Sequence, residues 1–422
     1  MDSRERNIIA TVDRLEDEII DLTGRLVARP SVLENEAGAL EVMEAAWQDL
    51  GQTPVRVPVA PEKLAAHPGF APTPWNYQGR YSLVAKRPAD AKGGRSALFN
   101  GHLDVVSPEP LDLWESDPFT PTQKGGWLYG RGAGDMKSGV AAMTYALTAV
   151  ERAGFGLQAP VTLEAVIEEE CCGNGALSCL EAGYDAEAIL IPEPFGPTLY
   201  TAQVGVLWFK VAMHGQPSHV LAATAGTNAI EKSWPVMAAL RRLEAEMNAE
   251  ARPDAYREMA HPINLNIGIF RGGDWPSTVP AAAEFHGRLS FFPGTAYETA
   301  CRRVKSAVAQ ASREDPWLAE NPPQVTFYGF RSEGHTIDRG HPVLSTLNAC
   351  HRDLNGRDAA TYISTCTTDL RAFHAFGRGR GTCYGPVAEN IHAANERVDI
   401  ASILQTARAY ALFLSRWCGL VE

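Results

Sequence analysis

The sequence predicts a mixed α/β protein, with a mostly parallel sheet flanked by helices and a smaller α+β unit inserted into it. Three observations carry this expectation. Short apolar runs alternate with helical patterns as far as Pro197, a β-α-β-β-α-β order follows, and the first texture returns from about residue 342. At 422 residues the chain is also too long for one ordinary core, so two domains are expected.

In residues 5–29, Ile8, Ile9, Val12, Leu15, Ile19, Leu22 and Leu26 recur at helical spacing, and Arg29-Pro30 ends the pattern. A second helix is expected over 34–50, stopped at Gly51. The Pro- and Gly-rich stretch 51–80, with Phe70, Trp75 and Tyr77, reads as irregular surface structure. Strands are then expected over 81–86, 96–100, 161–167 and 188–192, with helices over 137–153 and 174–182.

The inserted unit begins with a long strand over 204–213 and a helix over 226–249, bent at Pro235. Strands near 262–271 and 282–292, a helix over 296–313 and a strand over 323–330 complete a ferredoxin-like order. Helix 342–355, the apolar stretch 381–385 and helix 398–416 close the chain. The expected division is a discontinuous catalytic domain, 1–203 with 332–422, around an inserted domain, 204–331.

Hydrophobic residues make up 45% and charged residues 21%, ordinary values for a globular enzyme. A net charge of −12 argues against nucleic acid and anionic membrane surfaces as partners. The charged start Met-Asp-Ser-Arg-Glu-Arg-Asn lacks the apolar core of a signal peptide, and no run has the length of a membrane helix. Eight dispersed cysteines with no Cys-x-x-Cys pair suggest neither a zinc ribbon nor a disulfide framework, so a reduced, cytoplasmic protein is the expectation.

The residues able to do chemistry fall at the ends of the apolar runs. His102 and Asp104 follow 96–100, Glu168, Glu169 and Glu170 follow 161–167, Glu193 follows 188–191, and His392 lies a short loop beyond 381–385. Asp135 stands in Gly130-Arg131-Gly132-Ala133-Gly134-Asp135-Met136-Lys137, at the start of a helix. Open α/β sheets form sites outside the carboxyl ends of their strands, so these groups converge on one rim. A lone histidine is more often packed or solvated than a ligand, and three consecutive glutamates usually form a solvated face. Here the glutamates directly follow a run expected to be buried, where unpaired carboxylates are costly and a divalent cation compensates them. Two imidazoles with several carboxylates and no thiolate suit catalytic rather than structural zinc.

In Gly101-His102-Leu103-Asp104, Gly130 to Lys137, Glu168-Glu169-Glu170, Glu193-Pro194 and His392-Ala-Ala-Asn395-Glu396 the chain resembles the dinuclear-zinc M20 peptidase and deacylase family. The loop Gly272 to Ser277 and the run Glu170 to Gly175 lean toward its branch of acetylornithine deacetylase and succinyl-diaminopimelate desuccinylase. The resemblance implies a zinc-exopeptidase-like fold with two divalent metal ions, zinc first, cobalt or manganese as alternatives. It implies that His102 and Glu193 hold one metal, Glu170 and His392 the other, and that Asp135 bridges them. Asp104 would hydrogen-bond the free nitrogen of His102 to fix the ring, and Glu169 would be the general base. Glu168 matches a position without a catalytic role; a register off by one would exchange base and ligand.

For the inserted unit the resemblance implies a lid that also forms a homodimer contact. His219 would reach across that contact to stabilise the oxyanion, although on its own it reads as part of a polar surface turn. Arg288 matches an arginine that binds the substrate carboxylate; the alternative is a simple ion pair with a lid acid. The implied reaction is hydrolysis of a small N-acyl amino acid or related N-acyl compound. A dipeptidase or carboxypeptidase of the same machinery is the alternative, and a non-catalytic metal-binding relative the third reading. Three stretches depart from the family pattern: Ser277-Thr278-Val279-Pro280, Thr368-Asp369-Leu370-Arg371 and the long segment 51–80. They bear on substrate shape, and Cys171-Cys172 reads as packing.

Overall fold

The computed structural model describes residues 1–422. Its main sheet has six strands in the spatial order Pro54–Pro58, Tyr81–Arg87, Val161–Val166, Ala97–His102, Ala188–Ile191 and Arg380–Cys383. The last four run parallel, and Tyr81–Arg87 is antiparallel to both of its neighbours. Successive residues of these strands enter different cores. Leu83, Leu163, Phe99 and Leu190 belong to the largest apolar cluster, whereas Val84, Val166, Leu98 and Ile189 join clusters on the opposite face. Both faces are therefore covered by helices, as the continuous apolar runs require.

The N-terminal pattern expected as one helix is two, Ser3–Arg14 and Glu16–Val27, hinged at Leu15. No proline or glycine marks that hinge, and Leu15 keeps its apolar register on both sides. The stretch 51–80 is also more than irregular surface. Pro54–Pro58 pairs with Tyr81–Arg87 and extends the main sheet, and Asn174 exchanges two hydrogen bonds with the Ala71 backbone.

The second body is a four-stranded antiparallel sheet in the order Leu265–Gly272, Ala282–Phe291, Gly205–His214, Gln324–Ser332. Numbered along the chain this is 2-3-1-4, the ferredoxin-like arrangement. Helices Ala229–Ala249 and Tyr297–Glu314 cover one face, giving a separate apolar core around Phe209, Phe285 and Leu240. Pro235 lies inside the first of these helices. The other face looks toward the carboxyl ends of the main sheet, where both bodies line one cavity. No helix is long and apolar enough to cross a membrane.

A stacked imidazole pair lies away from that cavity. His335 and His374 stand 3.8 Å apart at 23°, and His335 Nδ1 is buried with no hydrogen-bond partner. Burial holds both rings below the ordinary 6.5, His374 at about 4. The unfolded chain therefore binds protons first, and the stability present above pH 6.5 is lost as pH falls through the folded values. We expect Tm to fall between pH 7 and pH 4, and the double substitution His335→Leu, His374→Leu to flatten that slope in a calorimetric pH series.

Candidate metal centre

The strand Ala97–His102 ends on its imidazole, and each neighbouring parallel strand delivers an acid just beyond its own end. Glu168 has φ +68° and His392 φ +62°, left-handed values that non-glycine residues adopt at a cost and that recur at functional sites. These backbone turns bring Glu169, Glu170 and His392 to the same cavity wall. Asp135 comes from the turn Ala133–Lys137, where its own backbone is non-helical.

His102 Nδ1 donates to the backbone carbonyl of Asp104 at 2.9 Å, which turns Nε2 toward Asp135 Oδ1 at 3.1 Å. The other oxygen, Asp135 Oδ2, lies 3.5 Å from His392 Nε2, and His392 Nε2 lies 3.0 Å from Glu170 Oε2. One carboxylate thus offers one oxygen to each imidazole. His102, Asp135 and Glu170 form one close group of donor atoms; His102, Glu169 and Glu193 form a second, each within 4.8 Å. Glu193 Oε1 is buried without any hydrogen-bond partner.

The Asp104 carboxylate has a different task from the one expected. It is 3.7 Å from His102 Nδ1 and accepts instead from the backbone N–H groups of Glu169 and Glu170, at 3.2 and 3.1 Å. The residue still orients His102, but through its carbonyl, and its side chain fixes the following turn. Glu396 does the same for Asp135, accepting from the N–H groups of Gly134 and Asp135 at 2.9 Å each and from Arg131 at 2.5 Å. Its motif is visible in the sequence; nothing there distinguishes an internal brace from a ligand.

Charge explains the electrostatics. Burial drives Glu193 and Glu169 far above the ordinary carboxylate range, and the charges of Asp135 and Glu193 respectively add to it. Burial raises Asp104 to about 7. Burial also pushes Asp135 upward, but its bonds to His102 and His392 win and hold it low. The Glu170 carboxylate holds His392 in its charged form, with the pKa raised to about 11. Acids outnumber bases here, an excess of buried negative charge that divalent cations would offset. The donor set fits two such ions: a carboxylate turned both ways, an orphaned buried oxygen and two imidazoles, with no thiolate among them.

Glu168, Cys171 and Cys172 also group closely, yet Glu168 is fully engaged. It accepts from Trp75 at 2.6 Å, Tyr77 at 2.7 Å, Arg80 at 2.5 Å and Cys172 at 2.9 Å. Burial raises both thiols, Cys172 to about 11, so the group is a structural brace for the turn.

Arg371, seen in the sequence only as part of a divergent segment, lies 3.5 Å from Glu169 and 3.1 Å from Asp369. Arg288 lines the cavity and donates to the Thr365 carbonyl at 3.2 Å; no acid pairs with it. His219 is not brought to the cavity. It is exposed beside the turn Val220–Ala225 and accepts from Leu221 N–H through Nδ1.

Residues 98–416 match the profile of the family described as Peptidase family M20/M25/M40. The chain is 27% identical over 372 residues to an N-formyl-4-amino-5-aminomethyl-2-methylpyrimidine deformylase of Bacillus subtilis, covering 83% of this chain and 86% of that protein. It is 28% identical over 410 residues to a succinyl-diaminopimelate desuccinylase of Variovorax paradoxus, covering 94% and 97%. Among solved structures, the dipeptidase Dug1p of Saccharomyces cerevisiae superposes with a TM-score of 0.81 at 15% identity, covering 99% of each chain. Human carnosine dipeptidase 1 gives 0.77 at 16%, again covering 99% of each chain.

Proposed function

The chain belongs to peptidase family M20/M25/M40, and on that premise we propose that this amide-bond hydrolase is a two-metal deacylase of small N-acyl amino acids or related N-acyl compounds. The observation that carries the proposal is Asp135, with one oxygen 3.1 Å from His102 and the other 3.5 Å from His392. In this reading His102 and Glu193 hold one ion, Glu170 and His392 the second, and Asp135 bridges them; zinc suits the donor set, with cobalt or manganese as alternatives. When bound, the pair supplies Lewis acidity at the amide carbonyl and acidifies water.

The remaining work falls to the side chains. Glu169 takes a proton from the attacking water and returns it to the departing nitrogen. Arg371, at 3.5 Å, holds that carboxylate against the cavity, and Asp104 fixes its backbone. Arg288 receives a substrate carboxylate. His219 would come from a second copy of the chain, docking through 204–331, to stabilise the oxyanion. Exposed Leu221 and Trp275, 90% and 68% accessible, flank His219 and support such a contact. Eight free cysteines suit a reducing, cytoplasmic setting.

Two relatives whose names describe removal of a formyl and a succinyl group support a deacylase over the dipeptidase alternative. The metal-loaded protein should release amine from N-formyl-, N-acetyl- or N-succinyl-amino acids faster than it cleaves dipeptides, in a side-by-side kcat/KM assay. Faster dipeptide cleavage would overturn the deacylase reading, and no cleavage of either class would overturn both. Asp135→Ala should lose both ions together, measured by metal analysis after dialysis; loss of a single ion would refute the bridge.

A further inference from the structure

The roof of the cavity is one rung of the second sheet. Arg288 and Trp208 are direct cross-strand partners, Trp208 and Tyr328 are partners on the other side, and Asn266 faces Arg288 from the edge strand. All four line the cavity of about 420 Å³ whose opposite wall carries Glu169, Glu170 and His392. Alternation along a strand puts these side chains on the face away from the helices, which is why Trp208 and Arg288 are only partly buried while Leu207, Phe209 and Leu289 are core.

The rings in this rung are held in place. Trp208 meets Tyr328 at 5.8 Å and 65°, and Phe330 at 5.2 Å and 80°, both edge-to-face. Tyr328 is pinned by His286, whose Nδ1 lies 2.5 Å from the phenol oxygen. Gly329, at φ +63°, lies so close that a Cβ would come within 2.7 Å of Trp208 Cε3. Its N–H bonds the Pro72 carbonyl at 2.9 Å, tying the strand to the segment before Tyr81. Beside these rings stands a guanidinium with no acid partner.

We propose that the substrate is an N-acylated aromatic α-amino acid, its carboxylate on Arg288 and its ring against Trp208. Arg288 and Trp208 are neighbours on paired strands and line the same cavity, so a carboxylate partner and a ring partner stand side by side, as the two groups of such an amino acid do. The rigid aromatic row gains from a ring's quadrupole what it cannot gain from a saturated group of equal size. The assignment rests on the deacylase reading, because that reading fixes which end of the substrate faces Glu169.

The test compares N-acetyl-L-phenylalanine with N-acetyl-L-cyclohexylalanine and N-acetyl-L-leucine, using the metal-loaded protein for kcat/KM and Glu169→Gln for calorimetric binding. Phenylalanine should be preferred over its saturated counterpart by about tenfold in both measurements. Trp208→Leu should bring that ratio close to one, and Trp208→Phe should keep part of it. Equal or better use of cyclohexylalanine or leucine, or a ratio untouched by Trp208→Leu, would overturn the aromatic seat while leaving the deacylase reading intact. Selective binding of the aromatic compound without cleavage of any of the three would keep the seat and overturn the reaction.

Discussion

Glu169→Gln lowers kcat by about 10²–10⁴-fold while both metal ions stay bound. The expectation follows from where Glu169 stands. It shares a cavity wall with Glu170 and His392 but has its own neighbours: Arg371 at 3.5 Å, and a backbone N–H held by Asp104. Burial and the nearby Glu193 charge raise its affinity for a proton, the property a group needs if it is to accept one and give it up again. Glutamine keeps the volume and the contact to Arg371 but cannot carry the proton. The measurement is steady-state turnover beside metal content by elemental analysis. Full turnover with two ions would move the base elsewhere; loss of an ion would instead make Glu169 a ligand.

Glu396→Ala lowers stability by about 3–5 kcal/mol, because it strands a buried guanidinium. Arg131 and Glu396 are 2% and 1% exposed at the side chain and pair at 2.5 Å. The same carboxylate satisfies two backbone N–H groups, those of Gly134 and Asp135. Chemical unfolding reports the loss as a shift in midpoint at constant slope. The double substitution Arg131→Met, Glu396→Met should recover much of the stability, since it removes both buried charges. It should not recover metal affinity, because the Asp135 turn has still lost its acceptor. A double variant that regains both would reduce Glu396 to a stability element.

The architecture was readable because buried parallel strands appear as continuous apolar runs and the inserted unit keeps its own order of strands and helices. The positions of His102, Glu169, Glu170, Glu193 and His392 were readable for a related reason: each follows such a run. Other features had no comparable signal. The hinge at Leu15 lacks a breaker residue, and Pro54–Pro58 is a strand only because Tyr81–Arg87 offers it an edge. The short strand Leu199–Gln203 and its partner Thr361–Ser364 lie far apart in the chain, and no periodicity links them. Which oxygen of Asp104 meets His102 is likewise a matter of backbone direction, not of residue identity. Arg371 looked like divergence because its meaning lies in the 3.5 Å to Glu169.

The brace at Glu396 also sets an order of events. His102, Asp135 and the acids from 168 to 193 are synthesised early, and all of 204–331 then intervenes before His392 and Glu396 emerge. During translation five of the six main-sheet strands precede that insertion, but the edge strand Arg380–Cys383 follows it, and until the C-terminal part emerges Asp135 lacks both the carboxylate that holds its turn and the second imidazole that faces it. In the proposed two-metal reading, metal uptake would therefore belong to the completed chain rather than to the growing one, and a product truncated before His392 would lack both that imidazole and the core helix Ile400–Trp417.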